Sequence, residues 1–158
     1  MKKVYVFLLL LSVGASAGAQ KKSKYQVVNF LNSISGKKTL SGIHNNEPNT
    51  NPAHWTNKVD SITGHFPALW SGDFLYQKEN IDNRQLMINE AVREWKKGAV
   101  INIMWHACNP AAEEPCDWDN GHGVLSKLSD EQWKQLTTDG SELNKIWKAR
   151  VDEVCFYL

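Results

Sequence analysis

The chain has 158 residues, with 18 Lys and Arg against 17 Asp and Glu and a formal net charge of +1. A balance so near neutral carries no electrostatic footprint for a nucleic acid or an acidic membrane. Seven tryptophans point elsewhere, because a flat indole face stacks on a sugar ring as readily as it fills a core.

The chain opens with "MKKVYVFLLLLSVGASAGAQ", in which Lys2 and Lys3 precede an apolar run from Val4 to Leu11 and then small residues. That order is the pattern of a cleavable secretory signal, and the run is too short to span a bilayer. Residues 1–19 are therefore read as a signal peptide, cut after Ala17 or Ala19, and residues 20–158 as the mature domain. No cysteine lies near either cut to carry a lipid. The expected location is secreted or periplasmic, with no membrane contact once the signal is removed. An uncleaved anchor is the alternative. Losing Lys2 and Lys3 leaves 16 basic side chains facing 17 acidic ones.

"YQVVNFLNSISG" places Val27, Val28, Phe30, Leu31 and Ile34 on one helical face and ends at Gly36, a natural C-cap residue. "KTLSGIH" follows as a short extended stretch. "NPAHWTNKVDSITG" predicts a helix with Asn51 as N-cap, Pro52 in the first turn, Trp55, Val59 and Ile62 inward, and Gly64 closing it. "FPALWSGD" then gives a buried strand ending at Asp73. "DNRQLMINEAVREWKKG" gives a helix expected to bury Ile88, Ala91, Val92 and Trp95 before Gly98.

"AVINIMWH" is the clearest strand, because Ala99, Ile101, Ile103 and Trp105 alternate with Val100, Asn102, Met104 and His106. One face suits contact with helices; the other suits a lumen with polar groups near its mouth. A long loop leads to "SDEQWKQL", where Ser129 and Gln132 form a capping-box pair. The last segment sets Leu143, Ile146, Trp147, Arg150, Val151, Val154, Cys155 and Leu158 in helical register.

Strands alternating with helices imply parallel pairing through right-handed crossovers. The expected fold class is α/β, the amino-terminal three βα units of a (β/α)8 TIM-type barrel. The barrel is expected to be incomplete, since an eight-stranded barrel takes about 250 residues. The carboxyl ends of parallel strands gather on one face, where such folds build their chemistry. The three strands here end in His44, Asp73 and His106, and that coincidence marks the candidate site.

Export permits a disulfide. Cys108 and Cys116 flank "NPAAEEP", and a bridge there would constrain the unfolded chain; Cys155 has no obvious partner. Zinc is the competing reading for these cysteines, without a CxxC or HExxH spacing behind it.

The segment "MWHACNP" is similar to the third-strand motif Trp-His-x-x-Asn-Pro of glycoside hydrolase family 26, the endo-β-mannanase family. The similarity extends to "TLSGIHNN", "FPALWSGDF", the helix before "GAVINIMWH", and "LNKIWKARVDEV", across roughly residues 37–155. The resemblance implies a secreted enzyme that cleaves internal β-1,4 bonds of mannan or a related β-glucan with retention, using two glutamates from strands four and seven and no cofactor. Neither glutamate motif occurs here, so no catalytic residue is assigned and the chain is expected to be a fragment inactive alone.

What carries over is substrate binding. By resemblance His106 hydrogen-bonds the sugar, and Asn109 and Pro110 shape the loop beneath it. Asp73 and His44 contact sugar hydroxyls at the same mouth, and Trp118 is a stacking platform. Trp105 is helix-facing by parity, and Glu113 and Glu114 are read as solvated loop acids. Two other readings stand beside this one: a non-catalytic glycan-binding remnant, and a metal-dependent hydrolase using His44, Asp73 and His106. Nothing in the sequence indicates an oligomeric state.

Overall fold

The computed structural model describes residues 23–45 and 48–158, so the expected signal peptide lies outside the described residues. The chain divides after Lys37 into two units. The first contains α1 (Gln26–Ile34), which has no buried residue: Val27, Val28, Phe30 and Leu31 are all exposed. Gly36 follows it at φ 71°, the left-handed conformation that ends helices cheaply only in glycine.

The second unit runs β1 (Gly42–His44), α2 (His54–Thr63), β2 (Leu69–Phe74), α3 (Lys78–Asp82), α4 (Arg84–Lys96), β3 (Val100–Trp105), α5 (Asp130–Thr137) and α6 (Glu142–Tyr157). The three strands form one parallel sheet in the order β1-β2-β3. Ile43 pairs with Trp70 and Trp70 with Ile101, which sets His44, Ser71 and Asn102 in one row.

The central strand β2 is buried on both faces. Trp70 and Phe74 project to the helix side, where they meet Met87 and Ala91 of α4 and Val154 of α6. Each fully buried aromatic contributes about 1.5–3 kcal/mol through the apolar area it removes from water. Ala99, Ile101, Ile103 and Trp105 pack against the same cluster, so β3 turns its apolar parity to the helices. Trp105 stacks on Trp147 of α6 at 5.2 Å between ring centroids, and Tyr157 meets Phe74 at 5.8 Å. Arg84 is buried at the start of α4, over the Phe74 ring, and its Nη1 lies 2.5 Å from Glu153 Oε1 of α6.

Two helices differ from the sequence-based expectation. α2 starts at His54 with Ala53 as its cap and no side-chain cap bond, while Asn51 instead accepts the His54 N–H through its carbonyl. The buried residue of α2 is Thr56, whereas Trp55 and Ile62 are exposed. The cause is Asn45, just past β1: its Oδ1 accepts the Thr56 N–H at 3.0 Å and the two side chains also bond each other, which draws the Thr56 face inward. The run after residue 77 breaks at Asn83 into α3 and α4. α4 buries Met87, Ala91, Glu90 and Glu94, while Val92 and Trp95 are exposed. Val92 and Trp95 line an open apolar groove with Ile101, Ile103 and Leu158, a surface that no described element covers.

The Ser129–Gln132 pair and the closing glycine of α2 appear where the sequence puts them, and α6 gains a cap the sequence reading did not name. Ser129 and Gln132 form a reciprocal capping box on α5, and Ser141 accepts the Asn144 N–H at the start of α6. Gly64 closes α2 at φ 71°.

Two substitutions test this packing. A Cβ on Gly72 would sit 2.5 Å from the Trp70 ring and 2.7 Å from Met87 Sδ, both buried. Gly72→Ala is therefore expected to destabilise the second unit by about 1–3 kcal/mol in a denaturant melt. Burial pushes the Glu90 carboxyl above its ordinary 4.5, against the pull of Arg93. The stability this contributes is present below that value and is lost as pH rises through the raised one. Glu90→Gln should accordingly melt higher than the parent at pH 7, with the difference gone in melts below pH 4.5.

Candidate functional site

Parallel pairing brings the three strand ends to one edge of the sheet, on the face opposite the helices. His44, the last residue of β1, places Nδ1 2.8 Å from Ser71 Oγ, and Asn102 of β3 donates its Nδ2–H to the same oxygen at 2.9 Å. His44 Nε2 lies 3.3 Å from Asp73 Oδ2, and His106 Nδ1 lies 2.8 Å from that oxygen. The His106 N–H donates to the Phe74 carbonyl at 3.2 Å, which carries the β2–β3 pairing one step past β3 and turns the ring over Asp73.

Asp73, expected to contact sugar, is the most enclosed of the strand-end groups. Its side chain has 0% exposure, shut behind two imidazoles. His44 is also engaged, with both ring nitrogens facing protein atoms. His106 keeps 29% exposure, and no described residue bonds its Nε2. Under the carboxylate lies a buried amide web: Asn49 Nδ2 donates to the Asp73 and Asn80 carbonyls at 3.2 Å each, and the Asn49 N–H donates to Asn80 Oδ1 at 2.9 Å.

The loop from His106 to α5 supplies the rest of the edge. A disulfide joins Cys108 and Cys116, and the Cys116 N–H donates to the Tyr76 carbonyl at 3.3 Å. Arg150 reaches from α6 into the same loop, donating to the carbonyls of Cys108, Asn109 and Ala112. Its Nε lies 3.9 Å from Glu114, whose side chain is 18% exposed; the expected solvated acid is instead tucked against the guanidinium. Glu113 is exposed.

Trp118 stands beside the site, its ring centroid 5.5 Å from His106 edge-on and 5.9 Å from Tyr76. Asn109 does not join this cluster through its side chain, which donates to Ser126 Oγ and accepts from the Ala111 N–H. With Pro110 it lines an apolar cleft of about 580 Å³ that also includes Leu128, Trp133 and Trp147. Asp119 Oδ1 accepts the N–H groups of Gly121, His122 and Gly123. Those bonds, Gly123 foremost, hold its carboxyl below the ordinary 3.8. Gly123 crosses so near Asp117 that an added Cβ would lie 1.9 Å from the Asp117 carbonyl.

Sequence reasoning missed Ser71, Asn102, Asn49 and Arg150. The row parity of β3 was the one signal that pointed to Asn102; the others depend on contacts between distant segments. Among the described residues no group of three His, Cys, Asp or Glu has the arrangement of a metal site, Cys155 is free and exposed, and no helix is long and apolar enough to cross a membrane.

Known proteins resemble this chain in sequence and in fold. The model of glycosyl hydrolase family 26 matches residues 15–155. The mannan endo-1,4-beta-mannosidase of Thermothelomyces thermophilus is 24% identical over 132 residues, 82% of this chain and 23% of that protein. The structure of GH26A from Muricauda sp. MAR_2010_75 superposes with a TM-score of 0.74 at 31% identity, over 83% of this chain and 41% of that one. A beta-mannanase from a symbiotic protist of the termite Reticulitermes speratus, complexed with gluco-manno-oligosaccharide, shares the fold, with a TM-score of 0.66 at 19% identity over 83% and 42% of the two chains. The chain thus spans about a quarter of the relative's length and about two fifths of the two solved structures.

The Asp119 loop predicts an acid transition at Trp118. Its depressed carboxyl stabilises the loop above pH 3.8, and that contribution is lost as pH falls through the lower folded value. Difference fluorescence between the parent and Trp118→Phe isolates this indole. Its emission should move toward that of a solvated indole on acidification, and Asp119→Ala should show the moved emission already at pH 7.

Proposed function

The chain belongs to glycosyl hydrolase family 26, and from that premise we propose that it forms the first three βα units of a (β/α)8 barrel acting on β-1,4-linked mannan. Residues 1–19 direct its export, and the rest carries part of a sugar-binding cleft. The observation that carries this reading is the pair at the carboxyl ends of the strands: a part-exposed His106 whose Nε2 no described residue bonds, and Trp118 edge-on at 5.5 Å. An indole face beside an open ring nitrogen suits a sugar, which presents an apolar face and hydroxyls together. The activity named for the Thermothelomyces relative and the oligosaccharide bound by the protist enzyme support a β-mannan or glucomannan as the ligand.

Retaining hydrolysis needs two carboxyl groups about 5 Å apart at the scissile bond. Asp73 is sealed from solvent, Glu114 is turned to Arg150, and Glu113 stands in the loop. Glu90 and Glu94 are buried on α4, and the Glu94 carbonyl accepts the Ala99 N–H, which puts this pair toward the opposite ends of the strands. We therefore assign both catalytic carboxyls to strands beyond β3 and, to these residues, the holding of sugar without cleavage.

Calorimetry on the purified chain should show weak binding of mannotetraose, reduced about tenfold in Trp118→Ala, in line with the loss of one aromatic contact. No reducing sugar should appear on incubation with mannan. Hydrolysis of mannan by the chain would overturn the assignment.

A further inference from the structure

The polar groups on the open face of the sheet form one chain of partners, and the buried Asp73 carboxylate decides which nitrogens beside it carry hydrogen. Asn102 Nδ2 is a donor only, and it donates to Ser71 Oγ at 2.9 Å. The Ser71 hydroxyl keeps one proton and one lone pair, so the direction of its 2.8 Å bond to His44 Nδ1 is set from the other side of that ring, where Nε2 faces a carboxylate and a bare lone pair would be repelled. A neutral His44 that accepts at Nδ1 carries its proton on Nε2, the nitrogen that faces Asp73 Oδ2 at 3.3 Å. On the other side His106 Nδ1 lies 2.8 Å from the same oxygen. The ring N–H is angled off the line to the oxygen, and neither Asp73 oxygen has a well-aligned donor. A bare nitrogen lone pair held at that distance from a buried carboxylate would be repelled, so the proton of His106 also sits on the nitrogen facing Asp73.

From this relay we infer that Asp73 is a positioning residue that fixes His106 as the Nδ1–H tautomer and leaves the Nε2 lone pair outward as a hydrogen-bond acceptor. This rests on the proposed sugar site and sharpens it. His106 takes a hydroxyl that donates, and it discriminates against a ligand that offers only acceptors at that point, such as an O-methylated or carboxylated sugar. His44 and Ser71 act through Asp73, and their contact with the ligand is not required. Asn49 holds the Asp73 carbonyl from behind and is itself held by Asn80, which keeps the Asp73 backbone in place beneath the two rings.

The test is the tautomer itself, read from nitrogen–proton correlation spectra of the chain labelled with ¹⁵N-histidine at pH 7.5, the His106 signals being assigned by their loss in His106→Gln. The expected pattern is a protonated Nδ1 and an acceptor Nε2 for His106, and the reverse for His44. In Asp73→Asn, whose side chain is isosteric but can donate as well as accept, the His106 pattern should become mixed. Mannotetraose affinity should then fall about tenfold, the scale of one misplaced hydrogen bond. A His106 found as the Nε2–H tautomer or as the cation in the parent chain overturns the inference, with or without sugar present. An unchanged tautomer in Asp73→Asn overturns the role of Asp73. If instead the tautomers are as stated and the parent does not bind mannotetraose, the sugar site fails and the relay stands.

Discussion

One constraint organises this end of the molecule: a carboxylate with no exposed surface is held at the end of the central strand by two imidazoles. A charge taken out of water is costly unless it is met by partners, and partners must be delivered by neighbouring strands in the right register. Parallel pairing does this. The β1 to β2 register puts His44 beside Ser71, one pleat below Asp73, and the β2 to β3 pairing carries on to His106, whose ring closes over the carboxylate. A shift of one residue in β1 or β3 would turn its polar side chains to the helix layer and send Ile43 or Ile101 into the open face. The polar row and the apolar cluster are thus two readings of one register.

The loop beyond His106 is long and has no regular secondary structure before α5, so its backbone groups need partners from elsewhere. They find them in pieces. The disulfide closes its first half, Arg150 binds three of its carbonyls from α6, and Asp119 gathers three N–H groups in its second half. Trp118 sits between the bridge and the Asp119 turn, and both ends of its placement are therefore fixed. Arg84 ties α6 to α4 through Glu153, and Val154 of α6 packs with Trp70 and Phe74 of β2, so the helix that supports the loop is itself anchored to the sheet.

Legibility in the sequence follows the range of the interaction. β3 is plain because alternation is local, and the strand ends His44, Asp73 and His106 are plain because three βα units repeat the same grammar. The capping box at Ser129 and Gln132 needs four residues, and the pairing of Cys108 with Cys116 spans only eight positions. The inward face of α2 is not legible, because a single amide, Asn45, outweighs the helix's own apolar spacing by bonding Thr56. Trp95 and Val92 follow the helical period that usually means burial, yet they border a groove beside β3 that the described sheet leaves uncovered. For Asp73 the sequence shows its place at a strand end and not its enclosure. Exposure of a strand-end acid is decided by what lies on either side of it, and those neighbours come from other strands.

That distinction separates holding from chemistry at this site. A general acid or a nucleophile must reach the reacting atom and change its charge during the reaction. Asp73 can do neither while it is enclosed by His44 and His106, because its charge is what keeps the two rings in place. The buried pair on α4 fails for a different reason. Glu90 and Glu94 lie beside each other, bonded to Arg93 and Lys97, and the Glu94 backbone marks the end of the sheet from which β3 departs rather than the end at which the side chains of the candidate site converge. On the reading proposed above, what the described residues bring to the strand ends is a wall: one imidazole aimed outward, one indole beside it, and a carboxylate behind them that keeps the imidazole aimed.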